Sequence, residues 1–315
     1  MFRKIMLLGA LLFFIIFTFV VGYFMMPIKS RHNLKIPSSN RDEVISALQK
    51  QGIEVGVLDR FFLEFTPKPI EGWIYLNRRK MPRYKFLLLL GKKSIHYTPV
   101  TIVPGETSYF VLKQLAKKLN FKSTLLQQSY RNLAPYKEGN FLAETYNIPV
   151  YFNEKDTIEF LLERSFKMYK KLSYKYFNQF NTKEWKRVVI IASIIEKEAA
   201  NRKEMPLVAS VIYNRLKKRM RLQMDGTLNY GHYSHKKVTP KRIRSDKSHY
   251  NTYKYRGLPK EPVCNVSLDA LKAALEPAKT NYLYFMKNQN GTHDFTHSYK
   301  IHIQNIKKRR LEQKK

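Results

Sequence analysis

Residues 187–201 read RVVIIASIIEKEAAN. Val188, Val189, Ile190, Ile191, Ala192, Ile194 and Ile195 project around the full circumference of a helix, since successive residues advance about 100°. A helix apolar on every side belongs inside a core, enclosed by other elements. The segment is therefore expected at the centre of a substantial domain. The same setting makes Glu196 and Glu198 anomalous, because a carboxylate in apolar surroundings is costly to ionise without compensation. Either these glutamates have structural partners or the fold keeps a carboxyl group protonated. In helical projection the two point about 200° apart. Glu196 follows Ala192 by four residues and Ser193 by three, and precedes Ala200 by four, a small-residue face suited to lining a cleft. Glu198 shares a face with Ile194 and Arg202, and a cation at i+4 is within ion-pair reach. The pattern predicts one paired carboxylate, Glu198, and one without a charge partner, Glu196. A desolvated, unpaired carboxyl group has a raised pKa, as a general acid requires. The competing reading of the pattern alone places both glutamates on the surface, beyond a buried half-helix.

The N-terminus sets the compartment. Ile5 to Ile28 carries no charge and is long enough for a hydrocarbon core that takes about 20 helical residues to cross. The following GYFMMPIKS offers no small-x-small cleavage site, so an uncleaved single span is expected rather than a signal peptide. Arg3 and Lys4 precede the span, and Lys29 and Arg31 follow it. The short basic tail favours residues 1–4 in the cytoplasm and residues 29–315 translocated, giving a single-pass inner-membrane protein with a periplasmic body. The chain has 58 Lys+Arg against 24 Asp+Glu, a net charge of +34, which suits anionic surroundings or simply many solvated lysines. Translocation and the lack of any recognition motif argue against nucleic acid as a partner. Cys264 is the sole cysteine, so no intrachain disulfide can form.

The remainder reads as α+β. A linker at 29–33 leads to a small α/β module at 34–130 with a weak internal repeat. LKIPSSNRDEVISALQKQGI and VTIVPGETSYFVLKQLAKKL each read strand, turn, amphipathic helix, with Thr107 a fitting N-cap for the second. Between them GWIYL and YKFLLLL read as strands. The second unit resembles a LysM glycan-binding repeat, in which a short turn feeds a helix. Residues 131–180 form a connector with the landmark EGNFLAETYNIP and a Tyr-, Lys- and Phe-rich helix from about Thr157 to Phe180. Residues 181–315 read as a mainly helical domain with aromatic loops. Its first helix is expected to run on from the opening stretch to a break near Pro206, followed by a second helix apolar at Val208, Val211, Ile212 and Leu216.

EGNFLAETYNIP, ASIIEKEA, VIYNRLKKRMRLQMDGTLNYG, HYNTYKYRGLP and YLYFMKNQNGTHDF occur in that order. In these blocks the chain resembles the endolytic murein transglycosylases of the YceG-like group, well over residues 100 to 305 and loosely over 34 to 99. The sequence departs from the group's pattern at Ala143 and Glu144, and again at Glu261, Pro262, Asn265, Val266 and Ser267, in the loop after Pro259. The resemblance implies a membrane-anchored lytic transglycosylase acting on peptidoglycan glycan strands, working beside peptidoglycan synthases, with no cofactor. It implies Glu196 as the catalytic acid. A lytic transglycosylase needs one acid rather than the two carboxylates of most glycoside hydrolases. Gln223, Asp225 and Asn251, in matching blocks, are candidates to position sugar, and each also suits a turn or cap. The alternative from another class is an inactive, membrane-tethered peptidoglycan-binding scaffold. His293 with His297, and His232 with His235, have the spacing of metal pairs but no third ligand in a helical frame, so no metal site is expected. The C-terminal IKKRRLEQKK reads as a solvated basic tail.

Overall fold

The computed structural model describes residues 2–31, 33–76, 78–92 and 97–312. The chain forms two compact units, Met1–Thr98 with Pro149–Phe152, and Pro99–Ile148 with Asn153–Lys315. This division differs from the expected module at 34–130. The first strand-turn-helix falls in the first unit and the second falls in the unit that holds the Glu196 helix.

The first unit opens with helix α1 (Phe2–Met25), of which Met6–Met25 has a mean hydropathy of 2.5 and has no buried residue. At about 1.5 Å per residue such a helix is about as long as a hydrocarbon core is thick. It is followed by β1 (Pro27–Lys29), β2 (Asn33–Ile36), α2 (Arg41–Lys50), α3 (Val57–Phe62) with a 3-10 turn at Leu63–Phe65, β3 (Gly72–Tyr75), β4 (Lys80–Pro82) and α4 (Arg83–Leu89). β1 pairs antiparallel with β4, and β2 with β3. Asn40 caps α2, its side chain accepting from the backbone of Asp42 and Glu43. The core gathers Leu34, Leu48, Leu63, Ile74, Phe86 and Leu90. YKFLLLL is the helix α4, not the expected strand. Phe86, Leu87 and Leu90 are fully buried, one face of a helix at i, i+1 and i+4. A continuous apolar run carries no period that separates strand from helix.

The second unit contains most of β5 (Tyr97–Thr101), α5 (Ser108–Leu119), α6 (Ser123–Leu133), most of β6 (Thr145–Pro149) and the long α7 (Glu154–Phe177), with β5 paired to β6. Then come α8 (Thr182–Glu198), α9 (Met205–Lys217), 3-10 turns at Asp225–Leu228 and Gly231–Tyr233, α10 (Pro240–Ser245), α11 (Leu268–Leu275), the hairpin β7 (Tyr284–Lys287) and β8 (His293–Thr296), and α12 (Tyr299–Glu312). The basic C-terminal stretch is thus helical to Glu312, and residues 313–315 lie outside the described residues.

α8 lies at the centre of the core. Asn181 caps its start, and Trp185 and every residue from Val188 to Ile195 are buried in a cluster with α9 and α11. The all-round apolar pattern has the predicted consequence. Fully burying one such aliphatic side chain stabilises by about 1.5–3 kcal/mol. α8 stops at Glu198, with Ala199 in extended backbone, and does not run on toward Pro206, which sits in the first turn of α9. Asn201 caps the intervening turn by accepting from the backbone of Lys203 and Glu204.

Candidate active site

Glu196 is in the last turn of α8 and half-buried. Its Oε2 accepts two hydrogen bonds from Ser267, from the backbone N–H at 2.8 Å and from Oγ at 2.6 Å. Ser267 is the N-cap of α11, and the same hydroxyl oxygen accepts from the Ala270 N–H at 3.2 Å. One hydroxyl therefore closes the start of α11 and holds the carboxyl group. Gly105, with φ +84, faces Glu196, and a methyl group at its α-carbon would stand 3.9 Å from Glu196 Cγ. The glutamate thus has a wall without side chain on one side and a hydrogen-bond donor pair on the other. Burial raises its pKa, the two Ser267 bonds oppose this, nearby Asp269 adds to it and Arg202 subtracts, and the net effect is upward. Desolvation outweighs two donors here because the group is removed from water on most sides.

Glu198 differs from the expectation. Because α8 ends at that residue, Arg202 is not one helical turn beyond it, and Arg202 pairs with Asp269 at 3.1 Å. Glu198 is half-buried and its Oε1 accepts the Gly226 N–H at 2.7 Å. Burial pushes its pKa to about 7, with Asp225 reinforcing the rise and the Gly226 bond and Arg215 opposing it. Glu198 pins the 3-10 turn at Asp225–Leu228 onto the end of α8. The fit is close, since a Cβ on Gly226 would lie 2.6 Å from Lys197 Cβ and 2.8 Å from Glu198 Oε1.

The loop after Pro259 builds one side of the site. The Val263 N–H donates to Ser193 Oγ at 2.9 Å. Asn265 accepts the Gly105 N–H at its backbone carbonyl and the Phe141 N–H at its side-chain oxygen, and its amide donates to the Glu106 carbonyl. Asn265 thereby fastens the Gly105 turn, the EGNF segment and its own loop together. Within EGNF, Glu138 is buried and accepts from the Ser108 N–H, the Ser108 hydroxyl and the Gly139 N–H. It closes the start of α5, and burial pushes its pKa to about 7. Gly139 has φ +75, and a Cβ there would meet Pro262 at 2.8 Å and Val189 at 2.9 Å. Asn140 donates to Tyr130 and to the Tyr136 carbonyl. Sequence reasoning marked this block without assigning its work. Asn265 and Ser267 stood out in the sequence only as departures from the family pattern, and Glu138 only as part of the EGNFLAETYNIP landmark, with no role assigned to any of them.

The sugar-positioning candidates occupy neighbouring turns. Gln223 is exposed and left-handed, with φ +50, and its N–H donates to the Thr252 carbonyl. Asp225 is exposed and accepts the Tyr253 hydroxyl at 2.7 Å. Asn251 is fully buried. Its amide donates to the Ile243 and Asp246 carbonyls and its oxygen accepts the Tyr253 N–H, so it fixes the loop that delivers Tyr253 to Asp225. The structure brings Asp225, Tyr253 and Glu198 to one end of α8, with Asn251 behind them.

His293 is in strand β8, where its N–H and ring Nδ1 both meet the Glu204 carboxylate at 2.8 Å, and His297 is exposed. His235 pairs with Glu106 at 3.1 Å, and His232 packs on Tyr233 at 3.9 Å between ring centroids. Among the described residues no three His, Cys, Asp or Glu side chains are grouped to hold an ion.

The sequence profile of the YceG-like family matches residues 35–308. The chain belongs to the YceG-like family. Similar curated proteins are the endolytic murein transglycosylase of Bacillus subtilis, 34% identical over 215 residues, and that of Streptococcus pneumoniae, 30% identical over 177 residues. The matched stretches are 64% and 54% of this chain, and 58% and 31% of those relatives. The chain thus spans somewhat over half of the first relative and under a third of the second. A crystal structure of a YceG-like protein from Listeria monocytogenes shares the fold, with a TM-score of 0.57 and 21% identity over 86% of this chain and 97% of that one.

Proposed function

We propose that this YceG-like chain is a membrane-anchored lytic transglycosylase that cleaves the bond between N-acetylmuramic acid and N-acetylglucosamine in nascent peptidoglycan strands. The single observation that carries the reading is Glu196, a half-buried carboxyl group at the end of an apolar helix, held at Oε2 by Ser267, with a raised pKa. The names of the curated relatives support the substrate class. α1, long and apolar enough to cross a membrane, supports the anchor. The body then faces the outside of the inner membrane, where nascent strands emerge from their synthases.

The chemistry runs through one group acting twice. With Oε2 fixed, Oε1 carries the acid proton and delivers it to the glycosidic oxygen as the bond to C1 of the muramoyl residue breaks. The resulting carboxylate takes the proton of the muramoyl C6 hydroxyl, whose oxygen closes on C1. The products are a 1,6-anhydromuramoyl end and a free N-acetylglucosamine hydroxyl, and the strand stops growing there. The Ser267 donors that oppose protonation before reaction stabilise the carboxylate once the proton has left, so the group is balanced for both roles. Asp225 and Gln223, exposed beside the end of α8, position sugar. The test is digestion of purified glycan strands by the full chain in detergent, with products resolved by mass. Anhydro ends support the proposal. Reducing ends, formed by adding water, would replace it with hydrolysis, and intact strands would leave a binding protein.

A further inference from the structure

α3 carries its apolar residues on the wrong side for a soluble module. Val57, Leu58, Phe61 and Phe65 are 83%, 40%, 61% and 74% exposed, while Asp59 and Leu63 are fully buried. At about 100° per residue Val57, Leu58 and Phe61 fall within one third of the helix circumference, and Phe65, in the 3-10 turn that follows, sets its ring 5.2 Å from that of Phe61 between centroids. An apolar patch of this kind on a soluble surface marks an interaction site.

Its place in the unit says what covers it. α3 is tied to the last turn of α1. The Phe62 and Phe24 rings are 4.5 Å apart between centroids, and the Tyr23 hydroxyl donates to Asp59 Oδ2 at 2.8 Å. Arg83 donates to the same oxygen at 2.8 Å, with its guanidinium 4.5 Å from the Tyr23 ring centroid. Tyrosine at the end of a membrane helix sits at headgroup level, so Tyr23 holds α3 at that level too. Beside the end of α1, Lys29 on β1 stands directly opposite Lys80 on β4, and both are exposed. Like charges in register repel, and anionic headgroups would relieve them. Exposed Arg79 adjoins them, its carbonyl accepting the Ser30 N–H at 2.8 Å.

We propose that this face, Val57, Leu58, Phe61 and Phe65 with Lys29 and Lys80 nearby, docks in the interfacial layer of an anionic bilayer next to its own membrane helix. It is a second, in-plane contact with the membrane, of the amphipathic interfacial kind. The inference rests on the membrane-anchor reading above.

The test uses the full chain in vesicles of phosphatidylethanolamine with phosphatidylglycerol. Spin labels are attached at Phe61→Cys, Phe65→Cys, Leu12→Cys within α1, and exposed Glu71→Cys. Cys264 is buried, and wild-type protein serves as the labelling blank. Relaxation by oxygen, which enters lipid, is compared with relaxation by a water-soluble nickel chelate. Labels at 61 and 65 are expected to favour oxygen, as the label at 12 does, while the label at 71 favours the chelate. Chelate-accessible labels at 61 and 65 with 12 in lipid would overturn the docking alone. A chelate-accessible label at 12 would overturn the anchor and the docking with it. Spin–spin broadening at 61 that vanishes on dilution with unlabelled protein would give the face to a second copy and overturn the lipid assignment. In phosphatidylcholine vesicles the label at 61 is expected to sit shallower, and equal depth would overturn the part given to Lys29 and Lys80.

Discussion

Glu198→Gln tests whether a half-buried carboxyl group at the end of α8 is carried at a cost. In the folded chain burial moves this group from the ordinary 4.5 to about 7. A tenfold change in proton affinity corresponds to about 1.4 kcal/mol. The sign follows from which state holds the proton. Between about pH 4.5 and 7 the folded chain binds it more tightly than the unfolded one, so stability falls as pH rises through that window. Above pH 7 the group is ionised in both states and the loss is complete, at about 3 kcal/mol. Glutamine keeps a side-chain oxygen for the Gly226 N–H and cannot ionise. The stability difference, variant minus wild type, should therefore grow by about 3 kcal/mol from pH 4.5 to pH 8. At roughly 2–4 °C per kcal/mol this is a relative gain of about 6–12 °C in melting temperature. Any fixed effect of the new amide shifts the curve without changing its slope. Calorimetric melts of both proteins in the same detergent across that range measure it, and the difference also removes the parallel contribution of Glu138. A flat difference would refute the reasoning, because it would mean that Glu198 does not titrate between these limits.

Ser267→Ala removes one of the two donors to Glu196 and the side-chain cap of α11. The alkaline limb of the pH–activity profile should move upward, and stability should fall by about 1 kcal/mol. An unmoved limb would sever Ser267 from Glu196. Gly139→Ala places a Cβ against Pro262 and Val189 at a left-handed backbone position, and should destabilise by several kcal/mol, roughly the overpacking and strain costs combined. A melt within 2 °C of wild type would show that the contact yields freely. Arg83→Met leaves Asp59, fully buried, without its cation, at a cost of about 3–5 kcal/mol, read as early loss of protease resistance in residues 33–92.

Much of this architecture was legible. The circumferential apolar pattern placed α8 in the core, and Thr107 before a periodic run marked the start of α5, where it is the N-cap residue although Glu138, not its own side chain, accepts the Ser108 N–H. The end of α8 was not legible. Ala199 and Ala200 are strong helix formers, and no glycine or proline intervenes before Pro206. The stop comes from groups distant in sequence. Gly226 claims Glu198, and Glu204 is held by His293 from 89 residues away. Misplacing that end misassigned Glu198 to Arg202, since an i+4 argument fails once the helix has stopped. The Glu196 site was half legible. The family blocks pointed to the glutamate, while Ser267 lies 71 residues on, in the loop where the sequence departs from the pattern it resembles. No local periodicity reports such a partner.

The most direct test is mass spectrometry of the products that wild-type and Glu196→Gln protein release from purified peptidoglycan, with melts recorded on the same samples. Glutamine preserves the oxygen that Ser267 holds and removes the proton. The wild type should yield 1,6-anhydromuramoyl ends. The variant should remain folded, melting at or slightly above the wild type, and lose activity by at least about 10⁴-fold, the upper end for one acid–base group. A folded Glu196→Gln protein that still forms anhydro ends within tenfold of the wild-type rate would contradict the assignment of Glu196 as the group that moves the proton.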